Sequence, residues 1–153
     1  MMVDRQKFDV MLSMLSEYVA DLRRLAHIDR PALLADPDKV ASVKYRFIVA
    51  IECCLDLAGH VIASEKFRTP ADSADAFTVL VERGVCPTDL EEPLRAMARF
   101  RNRLVHVYWQ VDDLLVVEYL HTHLGDFERF ANTLSRLVSV SYTHLTLPTI
   151  CSV

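Results

Sequence analysis

Apolar side chains recur along most of this chain at steps of three and four, the spacing of a single stripe on a helix of 3.6 residues per turn. From about Asp4 to His27 the stripe is Phe8, Met11, Leu12, Leu15, Val19, Leu22 and Leu25, and Asp29-Arg30-Pro31 breaks it. Asp36-Pro37 reads as an N-cap followed by proline at the first helical position. It opens a long helix that reaches about Lys66 and buries Val40, Val43, Phe47, Ile51, Leu55, Ala58 and Ile62. Thr69-Pro70 repeats that signal for a shorter helix through Phe77, Leu80 and Val81, which Gly84 terminates. Thr88 followed by Glu91 has the form of a capping box. It starts a fourth helix that turns Leu90, Leu94, Met97 and Phe100 inward and runs into an arginine-rich segment. Asp112 or Asp113 opens the last helix, along Leu115, Tyr119, Phe127, Phe130, Leu134 and Leu137. No stretch of normal strand length alternates cleanly, and β-prone Val105 to Val111 coincides with the end of the fourth helix. The pattern predicts an all-α bundle of about five helices over residues 1–140.

Residues 141–153 break the pattern, with three threonines, Pro148 and no charged residue apart from any titration of His144. This irregular tail resembles a translated sequencing adapter, and the alternative reading is a hydrophobic tail that packs on a partner. Composition agrees with a single helical domain: 153 residues, 52% hydrophobic, only three glycines. Cys53, Cys54, Cys86 and Cys151 form no CxxC pair, so they read as free thiols in a reducing compartment. The N-terminus lacks a signal-peptide pattern, and no charge-free apolar run approaches the roughly 20 residues of a membrane span. Phe47 to Ile51, the best, stops at Glu52. The expectation is a soluble, cytoplasmic protein without a membrane segment. The net charge of −4 changes this picture little: any RNA contact must come from a local basic patch.

One segment concentrates such groups. Arg95, Arg99, Arg101 and Arg103 fall within nine residues and are followed by His106, Tyr108 and Trp109. Arginine's planar fork suits phosphate oxygens, and histidine is the natural proton shuttle near neutral pH. RNA cleavage without a metal needs a base for the 2′-OH, an acid for the leaving 5′-oxygen and a cation on the phosphorane. Arg101, His106 and Tyr108 offer those groups. Spacing alone leaves the matter open. Five residues put Arg101 and His106 about 140° apart on one helix. Asn102 with His106, Arg103 with His106, and Arg101 with Tyr108 do align. An arginine-rich helix end also suits the C-terminal dipole without any catalysis.

The residues Arg101-Asn102-(three residues)-His106-Val107-Tyr108 resemble the Arg-(four residues)-His-X-Tyr motif of HEPN ribonucleases. The flanking Ala50-Ile51-Glu52, Asp56-Leu57-Ala58-Gly59-His60, Ala76-Phe77 through Leu80 and Gly84, and Phe100 to Trp109 are similar to the HepT toxins, over roughly 40–120. The resemblance implies a HEPN-type bundle forming a homodimer whose motifs face a shared cleft. It implies a metal-independent endoribonuclease with Arg101 and His106 catalytic. Asn102, Arg103, Tyr108, Arg99 and Arg95 would support them or contact RNA. It further implies a MntA-type nucleotidyltransferase antitoxin as partner, transferring AMP to Tyr108. The competing reading is a non-catalytic helical module that binds and regulates that partner, and a third is nucleotide binding without cleavage. The intact Arg101/His106 pair favours the nuclease.

Other candidates are weaker. Glu52, Asp56 and His60 lie at i, i+4, i+8 and either orient Arg101 or His106 or form a solvated edge. His60, inside a matching stretch, is the favourite of the three. Tyr108 without a function would pack beside Trp109. His121 and His123 diverge by about 200°, cannot chelate one metal and read as surface residues. No metal site, glycine-rich phosphate loop or cofactor is expected.

Overall fold

The structure is a computed structural model that describes residues 4–151, with side chains described to residue 139. Its elements are α1 (Arg5–Ala26), α2 (Arg30–Leu34), α3 (Pro37–Glu65), α4 (Ser73–Glu82), α5 (Glu91–His106), α6 (Asp113–Thr122) and α7 (Leu124–Cys151). Two 3₁₀ turns, Thr88–Leu90 and Tyr108–Gln110, flank α5. Among the described residues there is no strand.

The capping arithmetic explains most boundaries. Asp4 and Asp36 accept from the N–H groups of Lys7 and Lys39, each at 3.2 Å, fixing the starts of α1 and α3. At the other end of α3, Lys66 adopts the left-handed conformation (φ 57°), and Phe67 N–H bonds back to the Ile62 carbonyl at 3.0 Å. A lysine carries steric strain there that glycine does not. Lys66→Gly is therefore expected to raise the unfolding free energy by about 1 kcal/mol, read from urea denaturation. An unchanged or lowered urea midpoint would contradict this account of the turn.

Three expected boundaries move. The short helix α4 is capped by Asp72, which accepts from Asp75 N–H at 2.8 Å, while the Asp75 carboxylate accepts from Ala71 N–H and pairs with Arg68. Thr69-Pro70 lies in the extended approach. Thr88 opens a 3₁₀ turn, and Glu91 does not reach back to it, because its carboxylate accepts from the Thr78 hydroxyl of α4 at 3.0 Å. The predicted last helix is two helices: the chain breaks at His123 (φ −119°, ψ 7°), and the Asp126 N–H bonds to the His123 carbonyl. Leu115, expected inside, is 39% exposed, and Val116 and Val117 take the core positions. The single turn α2, inside the predicted break, tolerates Pro31 because proline fits a first helical turn. Helix α7 continues past Ser141, where regular structure was expected to stop. Serine and threonine cost a helix only a few tenths of a kcal/mol relative to alanine, up to about 0.7, whereas Pro148, three residues before the end of α7, forgoes a backbone N–H at about 3 kcal/mol. Side chains from residue 140 onward, Cys151 included, lie outside the described residues.

Helix α3 is the axis of the bundle and packs against each of the other six helices. By length and composition alone it is long and apolar enough to cross a membrane, contrary to the sequence expectation, but half of its most apolar window is buried inside the fold. Phe47, fully buried on α3, meets Phe100 of α5, Tyr119 of α6 and Phe127 of α7 at centroid distances of 5.5, 5.3 and 6.1 Å. Cys53, Cys54 and Cys86 are buried free thiols, as expected. Burial pushes Cys53 up to about 11 and Cys86 up to about 12, so neither is a ready thiolate at neutral pH.

Candidate active site

Helix α5 places the arginine-rich segment by leaning one edge on α4 and another on α3. Arg95 donates to the Thr78 hydroxyl at 2.7 Å, and Asn102, two turns later, donates to the Ser73 hydroxyl at 3.2 Å. The reversed order of those pairs makes the two helices antiparallel along this edge. Buried Leu94, Met97, Ala98, Phe100 and Leu104 anchor the inward face.

Arg101 is the fixed point. Its side chain is 23% exposed, and the guanidinium donates to Glu52 Oε1 of α3 at 2.8 Å and to Asn102 Oδ1 at 3.1 Å. Guanidinium only donates, so the Asn102 carbonyl must face Arg101 and its amide must face Ser73. The Arg101 Nε is buried without a hydrogen-bond partner among the described residues. Beside it lies a shallow cleft of about 390 Å³ lined by Glu52, Leu55, Asp56, Ser73 and Arg101.

His106 is the last residue of α5 and is exposed. Val107 leaves helical geometry (φ −132°, ψ 41°), so Tyr108 does not continue the helix, and the i, i+7 alignment with Arg101 expected from spacing does not arise. Tyr108 instead enters a 3₁₀ turn, 38% exposed, with Lys44 Nζ 4.6 Å from its ring centroid. Lys44 is buried to 8% exposure and pairs with Asp113 at 2.9 Å. Tyr108 thus has a cationic neighbour. Trp109, at 77% exposure, stands open to solvent.

The four arginines separate by role. Arg95 is tied to Thr78, Arg99 pairs with Glu92, and Arg101 pairs with Glu52. Arg103 and His106 carry no side-chain hydrogen bond or ion pair among the described residues, and both are exposed. Arg101 faces α3 while His106 faces solvent, so a single chain does not bring them together, as the helical angle between them requires.

A model of the ribonuclease HepT-like family matches residues 15–134, more than three quarters of the chain. The chain belongs to the HepT-like ribonuclease family. Among relatives of this HepT-like protein is the mRNA nuclease HepT of Shewanella oneidensis, 32% identical over 83 residues. That match covers 54% of this chain and spans 62% of the relative's length. Two of the solved structures that share the fold serve as examples. One is the Bacillus subtilis cytosolic protein of unknown function YutE (TM-score 0.79, 19% identity, 92% of this chain and 94% of that one). The other is the tri-AMPylated Shewanella oneidensis HEPN toxin in complex with MNT antitoxin (TM-score 0.78, 24% identity, 84% and 96%).

Within this HepT-like chain the polar row on α3 divides. Glu52 and Asp56 line the cleft, whereas His60 turns toward α1, its ring centroid 6.2 Å from that of Phe8. His60 Nε2 is buried without a partner among the described residues. The favoured member of the row therefore packs on α1, and Glu52 is the one that holds Arg101. His121 is not simply a surface residue: its ring nitrogens lie 2.8 and 3.0 Å from the Val117 and Ile28 carbonyls and tie α6 to the link after α1. His123 stacks on Tyr119 at 4.4 Å. Sequence reading missed Ser73 and Lys44, which touch the motif only through pairing across helices. The one available signal was Lys44, a lysine amid the apolar positions of a core helix.

Proposed function

We propose that this chain is an RNA endonuclease toxin of the HEPN/nucleotidyltransferase type, of the type VII kind, that acts in the cytoplasm as a homodimer. The observation that carries the reading is Arg101. It is a half-buried cation held by Glu52 and Asn102 at the wall of an open cleft, on the same helix whose last residue is an uncommitted histidine. Of the three guanidinium N–H groups left unpaired, the two on the terminal nitrogens remain for a phosphate, and the Nε–H is buried.

In this reading a histidine accepts the proton of an RNA 2′-OH as that oxygen attacks the adjacent phosphorus. Arg101 offsets the charge that develops on the non-bridging oxygens. A second histidine donates a proton to the departing 5′-oxygen, leaving a 2′,3′-cyclic phosphate and a 5′-hydroxyl. No step needs a metal. Because Arg101 and His106 diverge within one chain, the reading places two α5 ends across one cleft, with one His106 as base and its counterpart as acid. Arg103 is free to contact the RNA backbone, Asn102 and Arg95 hold the helix edge on α4, and exposed Arg99 pairs with Glu92 of the same helix.

Control falls to Tyr108, the site proposed to receive AMP from a MntA-type nucleotidyltransferase antitoxin. The phenolic oxygen attacks the α-phosphorus of ATP, pyrophosphate leaves and the phenolic proton passes to the transferase. The added phosphodiester carries one negative charge and a nucleoside, so it excludes RNA by bulk as well as by repulsion.

The test uses purified protein and total RNA in EDTA. Wild-type protein is expected to cut, and Arg101→Ala to cut about 10²–10³-fold more slowly. Exposure to the partner and ATP is expected to add the mass of AMP to wild type but not to Tyr108→Phe. Absence of cleavage by wild type would leave the non-catalytic regulatory module as the better reading.

A further inference from the structure

The cleft beside Arg101 holds more than a phosphate needs. Its volume of about 390 Å³ falls in the range of small-molecule sites, roughly 300–1,000 Å³. Glu52 is engaged by Arg101, but Asp56, one helical turn further along α3, is exposed and has no hydrogen bond or ion pair among the described residues. A free carboxylate next to a phosphate-binding arginine repels a polyanion unless something on that polyanion donates to it. On RNA those donors are the ribose 2′-hydroxyl and the N–H groups of bases, and only a base edge offers two adjacent donors to both oxygens of one carboxylate.

The rest of the lining narrows which base. Ser73 Oγ accepts from the Asn102 amide, an orientation fixed by Arg101, so the Ser73 hydroxyl keeps its own hydrogen to donate. The cleft therefore presents the paired acceptor oxygens of Asp56 and one hydroxyl donor, with Leu55 supplying apolar contact for a ring face. Guanine's Watson–Crick edge is the complement: adjacent N1–H and N2–H₂ donors beside the O6 acceptor. Adenine and cytosine present one amine beside a ring acceptor nitrogen, which would face carboxylate lone pairs. Uracil offers a single N–H between two carbonyls.

We propose that the Asp56–Ser73 cleft is a guanine-binding subsite adjoining the phosphate held by Arg101, so that the enzyme selects a guanosine next to the bond it cuts. This rests on the RNA-cleaving reading for its role in catalysis, whereas the binding event stands on its own.

Two measurements separate the claims. In the first, the full chain is titrated with the four common ribonucleoside monophosphates, as both 3′- and 5′-phosphates, and followed by NMR. Guanosine monophosphate is expected to bind at least about tenfold more tightly than the others. The preference is expected to vanish in Asp56→Asn and weaken in Ser73→Ala. Asp56 is exposed, so Asp56→Asn should keep the wild-type circular dichroism spectrum; Asp56→Ser provides a second variant if it does not. Equal binding of all four, no binding at all, or a preference that survives both Asp56 variants would overturn the subsite. In the second, RNA ends are mapped after cleavage, and wild-type cuts are expected to cluster beside guanosine and to lose that bias in Asp56→Asn. Selective, Asp56-dependent guanosine binding without any RNA cleavage would sink the nuclease reading and keep the subsite. Cleavage without a base preference sensitive to Asp56 would do the reverse.

Discussion

Replacing His106 with alanine is expected to slow RNA cleavage by about 10²–10⁴-fold, the usual worth of a positioned acid–base group, while leaving the unfolding midpoint where it was. The two halves of that expectation come from the same geometry. His106 ends α5, is exposed and has no side-chain partner among the described residues, so its removal breaks nothing that holds the fold. Surface substitutions of that kind stay within about 0.5 kcal/mol. If catalysis uses one histidine as base and the other as acid, a mixed dimer with His106 intact on one side only should be nearly as slow as the double variant. Initial rates on a labelled oligoribonucleotide, with thermal melts on the same samples, check both points. A mixed dimer cutting at the full wild-type rate would rule out the division of labour. A large drop in melting temperature would show that His106 supports the fold.

Phe47→Ala carries the largest expected cost in stability, about 3–5 kcal/mol for a fully buried phenylalanine. The ring is the common neighbour of Phe100, Tyr119 and Phe127 and so joins α3 to α5, α6 and α7 at one point. Those neighbours are aromatic and interlocked: Phe100 also stacks on Tyr119 at 4.3 Å. They therefore have little freedom to close the space, which places the cost high in the range. For a domain of this size the melting temperature should fall by about 10 °C. Phe100 immediately precedes Arg101, so at temperatures where the variant stays folded its effect on cleavage reports how far the aromatic cluster sets the register of α5. A loss below about 1 kcal/mol would show that the cluster repacks.

How much of this was legible in the sequence depends on whether the deciding interaction is local. Phe8 to Leu25 on α1 and Val40 to Ile62 on α3 show their buried faces as stripes, and Asp4, Asp36 and Pro37 mark the starts, because caps and periodicity act over a few residues. Asp72 displaced Thr69 as a cap because the Asp75 carboxylate also engages Ala71 N–H and Arg68. Glu91 was drawn from its capping role by Thr78, thirteen residues away. The break at His123 falls in the eight-residue gap between Tyr119 and Phe127 in the apolar stripe, and its aromatic stack on Tyr119 is not encoded by spacing. At the candidate site, Arg101 and His106 were visible as a pattern, and their divergence followed from helix geometry alone. The assignment of Glu52, rather than Asp56 or His60, to Arg101 spans 49 residues and needed the packing of α5 on α3.

The partnering of three of the four arginines within the fold has a bearing on ionic strength. Arg95, Arg99 and Arg101 already have partners within the fold, and Arg103 is the member of the set left open among the described residues. A polyanion docking on this face meets about two available guanidiniums per chain, the unpaired Arg103 and the terminal N–H groups that Arg101 keeps, so few condensed counterions are displaced into solution on contact. The entropy that drives most protein–nucleic acid association is thus small here. Affinity must come from shape, from hydrogen bonds to bases and from doubling the face in a dimer, and it should survive a rise in salt that would strip a basic-patch protein from its RNA.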